Sequence, residues 1–261
     1  MKKNILTLLF GLIQLAVLAQ TLEKALPEFK KVVISPLIDV ELVKGTSEGI
    51  QIVYENVEEN EINIDVKGNT LRVYLNDARF RLKRTYFERR YERHYSRAKI
   101  KAIITYRELN NIQIAGRNSL TCKDELTGKK LKVKVYDEAK VDFASLGTKK
   151  IRISTYGETN VEVEKVDANS MRIATYGDND VYIGSGHAGS QTFRAYGDNI
   201  IDARGVRSTY IKVGFFGDNN LSIDADHEVK LTVLGEGDIR VHGDAYIKRS
   251  LVLGEPRISS L

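Results

Sequence analysis

Apolar and polar residues alternate along most of this chain, and from residue 131 onward the alternation itself recurs. Ile151, Ile153 and Thr155 are interleaved with Arg152 and Ser154; after a turn, Val161 and Val163 are interleaved with Glu162 and Glu164. Period-two spacing gives a strand one buried face and one wet face. Segments 131–141, 151–161, 171–181, 192–201 and 211–221 follow one template: an alternating strand, an aromatic residue, a Gly or Asp turn, then a second apolar strand. Gly157, Gly177, Gly197 and Gly217 stand 20 residues apart. Asp137 holds that place one period earlier, with Gly116 a further 21 residues back; Gly235 and Gly254 follow at 18 and 19. Self-similarity at a fixed period of this size marks a solenoid. No period holds an apolar stripe of helical length, which excludes a helix-per-repeat architecture. Tyr-Gly-Asp-Asn is turn chemistry, because Gly, Asp and Asn tolerate positive φ and the acidic and amide side chains bond nearby backbone. The pattern therefore predicts an all-β parallel β-helix (β-solenoid), with one coil of about 20 residues per period and each coil completing its neighbour's core.

Before the repeat, residues 31–34, 38–43, 49–54 and 71–75 alternate in the same way, with turns at Gly45, Asn56 and 67–69. Residues 29–110 are expected to form an N-terminal β segment that leads into the coils at 111–258 and covers their first edge, since an open sheet edge invites aggregation. Residues 79–99 break the pattern. They hold nine basic and two acidic residues, a charge of +7 in a chain of net +5, so the remainder sums to −2. Two readings apply to this insertion: a solvated excursion between two strands, or an arm for anionic surfaces built from Arg81, Lys83, Arg84, Arg89, Arg90, Tyr91 and Arg93. Phe87, Tyr91 and Tyr95 would share one face of a short helix.

Residues 1–19 read as a secretory signal peptide: Lys2 and Lys3, a short apolar run, then Val17-Leu-Ala19. The remainder, 20–261, is expected to be a single domain, exported to the periplasm, the outer surface or the medium. Cys122 is the only cysteine, so the core rather than an internal disulfide must hold the fold.

The opening Phe29-Lys-Lys-Val-Val-Ile34, the pair Val40-Glu-Leu42, the segment Leu109-Asn-Asn-Ile-Gln-Ile-Ala-Gly116 and the glycine series that follows resemble the auto-transporter adhesin, head GIN domain family of Bacteroidetes-type secreted proteins. The resemblance covers about residues 29–259. The family's Gly-Ser-Gly turns are replaced by Gly-Asp-Asn and Gly-Glu-Thr, and its usual proline before the Leu-x-x-Ile segment is Arg107. It implies a right-handed β-helix and a surface or adhesin-like role, with no enzymatic residues to transfer.

Candidate chemistry lies on the repeat. Alternation sends Tyr136, Tyr156, Tyr176, Tyr196 and Phe216 outward, with Arg152, Arg172 and Lys212 on the same face. That strip reads either as a platform for sugar rings and anionic glycan or as a corner ladder whose rings pack on one another. Asp178, Asp198 and Asp218 should stack beside Asn179, Asn199 and Asn219, as a Ca²⁺ column or as turn geometry with an Asn ladder. The 20-residue period does not match nonapeptide Ca²⁺ repeats. His187 and His227 fall two coils apart, too far for one Zn²⁺. There is no phosphate loop or Cys-His pair. These features predict no metal, no cofactor and no catalytic set. They predict a secreted or surface-associated adhesin-like binding protein whose partner is an acidic glycan, lipopolysaccharide or another envelope component rather than nucleic acid. A polysaccharide lyase or hydrolase on the same scaffold, dependent on a stacked acid such as Asp198, and a purely structural envelope protein are the alternatives.

Overall fold

The computed structural model describes residues 19–78, 91 and 93–261; the expected signal peptide and most of the basic insertion lie outside them. The strands are β1 (Gln20–Ala25), β2 (Lys31–Ile34), β3 (Asp39–Lys44), β4 (Gly49–Glu55), β5 (Ile62–Lys67), β6 (Thr70–Leu75), β7 (Lys99–Tyr106) and β8 (Asn111–Gly116). They continue as β9 (Ser119–Gly128), β10 (Leu131–Asp137), β11 (Lys140–Thr148) and β12 (Lys150–Gly157). The 77-residue ribbon β13 (Asn160–Glu236) then winds through nearly four periods before β14 (Asp238–His242), β15 (Tyr246–Leu253) and β16 (Arg257–Ser260).

The strands form two parallel stacks. In the first, β8, β10 and β12 lie in register, so that Tyr136 sits between Ala115 and Tyr156, and Tyr156 pairs with Tyr176 of β13. In the second, Val141 of β11 lies between Leu120 of β9 and Val161 of β13. One coil crosses from the first stack to the second at the glycine turn. The molecule is thus a β-solenoid, and the 20-residue period is the length of one coil.

Alternation determines the core. In the coil beginning at residue 151, Ile151, Ile153, Thr155, Thr159, Val161, Val163, Val166 and Ala168 are buried. The predicted inward column of Val161, Val181, Ile201 and Leu221 is at most 2% exposed throughout. Side-chain volumes offset each other between coils. Phe215 stands one period beyond Ala195, both fully buried, which keeps the interior near crystalline packing density. Cys122 is free and buried, its thiol beside the Tyr106 hydroxyl, and burial raises its pKa.

The N-terminal segment is threaded differently from a simple lead-in. β2 pairs in parallel with both β6 and β8, and β3 with both β7 and β9. The coil made by β2 and β3 is therefore inserted between the coil of β6 and β7 and the coil of β8 and β9. Antiparallel strands close the edge: β5 on β6, β4 on β7, and β1 on β4. The covering role expected of residues 29–110 is met, but four of its six strands, β2, β3, β6 and β7, are themselves coil, and the cover starts earlier, at Gln20.

The basic insertion joins β6 to β7 in sequence, where later coils have a short glycine turn. Of its residues, 91 and 93–99 are described, and two of them correct the expectation of a solvated excursion. Tyr95 is 4% exposed; its hydroxyl donates to Glu61 Oε1 and to the Asn76 carbonyl. Tyr91 packs edge-on against Tyr95 at 5.0 Å, and its hydroxyl donates to the Pro36 carbonyl. Burial, reinforced by Glu61, pushes the Tyr95 phenol up to about 12. Tyr91 and Tyr95 do share one side of a helical turn, with the Tyr95 N–H donating to the Tyr91 carbonyl, but that side faces the fold. Tyr91 and Tyr95 anchor the corner.

Candidate functional site

The outer surface of the first stack carries the sequence-predicted residues in three columns, because parallel strands in register repeat each outward position one rung apart, about 4.8 Å. The column nearest the glycine turn is aromatic. Tyr136, Tyr156, Tyr176, Tyr196 and Phe216 stack with ring centroids 4.8–5.0 Å apart and interplanar angles between 2 and 12°. The rings point outward and form a ladder. The ring faces cover each other, so that what the column presents to solvent is a stripe of ring edges and phenol hydroxyls. Burial within the stack raises the Tyr176 pKa, and the neighbouring Tyr156 and Tyr196 add to the rise while Arg194 opposes it.

Two residues back along each strand from the small residue that precedes each ring lies a column of cations. Lys132 pairs with Arg152 and Arg152 with Arg172; Lys212 and Lys230 continue the position, interrupted by Thr192, and Lys230 pairs with Lys248. Like charges directly opposite each other cost stability. The Lys132 pKa is lowered, by partial burial first and then by Lys134, Arg152, Lys130 and Lys31. Among the described residues, none of Lys132, Arg152, Arg172, Arg194, Lys212 or Lys230 forms an ion pair with a carboxylate, whereas other surface cations do, such as Lys101 with Glu41 and Arg207 with Asp226. Between the two columns the residues are mostly small: Ser154, Ala174, Gly214 and Thr232, with Lys134 and Arg194 the exceptions.

On the far side of the aromatic ladder the corner is acidic. Glu158, Asp178, Asp198 and Asp218 are all exposed. Their amide neighbours are not. Asn179, Asn199 and Asn219 are at most 2% exposed and form a hydrogen-bonded ladder. Asn179 Oδ1 accepts from Thr159 Oγ1 at 2.8 Å, Asn179 Nδ2 donates to Asn199 Oδ1 at 2.9 Å, and Asn199 Nδ2 donates to Asn219 Oδ1 at 2.8 Å. The asparagines thus bond one another behind the turn, and the ladder ends at Asn219, whose Nδ2 is buried without a hydrogen-bond partner. No group of His, Cys, Asp or Glu suited to a metal ion occurs among the described residues.

The columns meet in one groove. A cavity of about 550 Å³ is lined by Arg172, Arg194, Lys212 and Lys230 and by Tyr196 and Phe216, with Gly214 between them. The structure brings together Arg172, Lys212, Tyr196 and Phe216 of the sequence-predicted set; Arg152, Tyr136, Tyr156 and Tyr176 lie on the same face outside the groove. Arg194 and Lys230 were missed. Arg194 sits where the two preceding periods have Ser and Ala, and Lys230 is displaced by the shortened 18-residue spacing. Of the arm residues, Arg81, Lys83, Arg84, Arg89 and Arg90 lie outside the described residues, Arg93 is exposed, and Tyr91 is anchored to the fold as described above.

Known proteins agree with this architecture. Residues 28–245 match the family described as "Putative auto-transporter adhesin, head GIN domain". Among solved structures, a "putative adhesin" from Parabacteroides merdae ATCC 43184 is similar over 93% of this chain and 96% of its own, at TM-score 0.77 and 17% identity. A "Putative lipid binding protein" from Parabacteroides distasonis ATCC 8503 is similar over the same shares at TM-score 0.79 and 13% identity. A "putative adhesin" from Bacteroides fragilis NCTC 9343 is similar over 93% and 97%, at TM-score 0.65 and 20% identity. At these identities the likeness is one of fold. No curated protein matches significantly in sequence. The family match spans most of the chain and coincides with the solenoid and its covering strands, and the protein is accordingly a member of the auto-transporter adhesin, head GIN domain family.

Proposed function

We propose that this protein is an exported, surface-associated binding protein that holds an acidic glycan along the outer face of its first strand stack, without chemical turnover of the ligand. The observation that carries the reading is the cation column. Like charges in register repel, and no carboxylate among the described residues relieves them. A polyanion laid along the stack would do so, at a rung spacing the fold keeps constant. The acidic corner beyond the aromatic ladder supplies the opposite sign and would confine such a ligand to the cationic side. An exported, surface location accords with the family description and with the leader-like residues 1–19.

The test is binding of the mature protein to immobilised acidic and neutral polysaccharides, with the triple variant Arg152→Glu, Arg172→Glu, Lys212→Glu alongside. Wild-type binding should be confined to the acidic polymers, weaken with added salt because the charges are exposed, and fall about tenfold or more in the variant. Indifference of the protein to every acidic polymer would favour the structural-envelope alternative, and release of shortened chains would favour the lyase or hydrolase alternative.

A further inference from the structure

We infer that the groove at Gly214 is a discrete subsite for one oxyanion-bearing sugar unit, a sulfated or carboxylated pyranose, within the longer cationic face. This inference rests on the binding reading given above and goes beyond it, because a column of charges alone calls for no cavity.

The reason lies first in Gly214 itself. Gly177 has φ +115°, and a Cβ there would stand 2.4 Å from the Gly157 carbonyl oxygen; the backbone of the corner demands glycine. Nothing of the kind holds at Gly214. Its φ lies outside the left-handed region, and an added Cβ would meet nothing nearer than 3.9 Å. Any residue would fit, and glycine in a strand interior is the costlier choice because it loses more entropy on folding and packs nothing. What the missing side chain provides is space. The equivalent position carries Lys134, Ser154, Ala174 and Arg194 in earlier coils and Thr232 in the next, so that among these coils only this one presents bare backbone there.

Around that floor the chemistry converges. Arg172, Lys212 and Lys230 stand on one side and Arg194 below, all exposed, and no carboxylate lines the groove. Tyr196 and Phe216 form the opposite wall as the last two rings of the stack. Thr192 replaces a cation in the column at this place, and with Thr232 it offers short hydroxyls at the groove edges. A volume of about 550 Å³ falls within the range of about 300–1,000 Å³ usual for small-ligand sites. Four cations suit an oxyanion with several acceptor atoms, since guanidinium forks bind such groups in bidentate fashion. The bare backbone at Gly214 lets a flat ring approach, and the hydroxyls and phenol edges suit the remaining sugar oxygens.

The experiment fills the groove without changing its charge. Mature wild-type protein, Gly214→Leu, Gly214→Ser and Arg152→Ser are titrated with a heparin hexasaccharide, an oligogalacturonate of the same length and a neutral cello-oligosaccharide, with circular dichroism and melting followed for each. Gly214→Leu should remain folded, since its Cβ has room, and should lose about tenfold or more in affinity for at least one acidic oligosaccharide. Gly214→Ser should lose less, and Arg152→Ser, outside the groove, should show only a modest loss of about twofold. The sulfated and carboxylated probes distinguish which oxyanion is held. Wild-type binding that Gly214→Leu leaves unchanged would overturn the subsite while keeping the cationic face, and no wild-type binding to either acidic probe would overturn both. If Gly214→Leu unfolds, Gly214→Ser decides: a folded Ser variant with wild-type affinity and a larger loss in Arg152→Ser would also overturn the subsite.

Discussion

At the scale of single residues the solenoid amplifies each side chain, because every inward position is stacked between two equivalents. Val181 lies between Val161 and Ile201, all at most 2% exposed. Val181→Asp would place an unpartnered carboxylate against apolar neighbours from two coils. Burying such a group costs several kcal/mol, a large share of a typical stability of about 5–15 kcal/mol. The outward change Glu162→Gln, one residue beyond the inward Val161, should stay within about 0.5 kcal/mol. Paired thermal melts would check this, and equal effects would contradict the inward assignment. The asparagine ladder makes a parallel case with polar groups. Asn199→Ala leaves Asn179 Nδ2 without its acceptor and Asn219 Oδ1 without its donor; each buried orphan costs about 1–3 kcal/mol. Its neighbour Asp198 is exposed, so Asp198→Asn should change stability by no more than about 0.5 kcal/mol. Denaturant titration of the two variants separates a buried ladder from a surface acid column.

At the scale of elements the corners carry the most constrained geometry. The turn after the aromatic ladder stacks glycine on glycine, and Gly177→Ala must both adopt φ near +115° and push its Cβ into the Gly157 carbonyl. A loss of more than about 1 kcal/mol is expected, against a neutral or stabilising Gly214→Ala. The enlarged corner between β6 and β7 behaves as an element of its own. Tyr95 is an interior residue there, with hydrogen bonds to Glu61 and Asn76, so Tyr95→Ala should cost on the order of 3 kcal/mol. For the same reason, excising residues 80–98 entire should weaken the fold, whereas replacing Arg81, Lys83, Arg84, Arg89 and Arg90 by serine removes the arm's charge and leaves the anchor in place. A melting temperature that drops for the deletion variant and holds for the serine variant would establish the boundary.

At the scale of the whole molecule, the two strand stacks differ in charge pattern. The second presents Asp142 and Glu162 in register, with Glu164 and Asp180 exposed nearby but also exposed Lys140 and Arg240, while in the first the cation column forms no ion pair among the described residues. An anionic ligand is therefore drawn to the first stack. Because Lys and Arg stay charged across the acid and neutral range, the pH dependence of binding should belong to the ligand. Affinity for a carboxylated polysaccharide should fall as pH drops through about 4, where its acid groups protonate. Affinity for a sulfated one should stay flat over the same window. Isothermal titration at about pH 3.5, 5 and 7, bracketing the carboxylic acid range, checks this wherever circular dichroism shows the fold unchanged; equal losses for both ligands would indicate that a protein group controls binding.

The repeat was legible from residues alone because solenoid coils are held by neighbours one period away. An inward residue must be apolar in every coil, and period-two alternation together with a 20-residue recurrence therefore identified the fold, the inward column through Val161 to Leu221 and the outward ladder from Tyr136 to Phe216. The same logic explains what stayed hidden. The insertion of the β2 and β3 coil between strands that come later in the chain leaves no periodic trace, since any coil offers the same edge to any other. Tyr95 looked like part of a charged excursion because its partners, Glu61 and Asn76, lie on segments distant in sequence. Arg194 and Lys230 joined the cationic groove only through lateral stacking, in one case from a position small in the two preceding coils and in the other across a shortened period. Local alternation decides which side of a strand a residue faces; which residues become neighbours on that side depends on how many residues each coil places at its corners, and that is settled by packing in three dimensions.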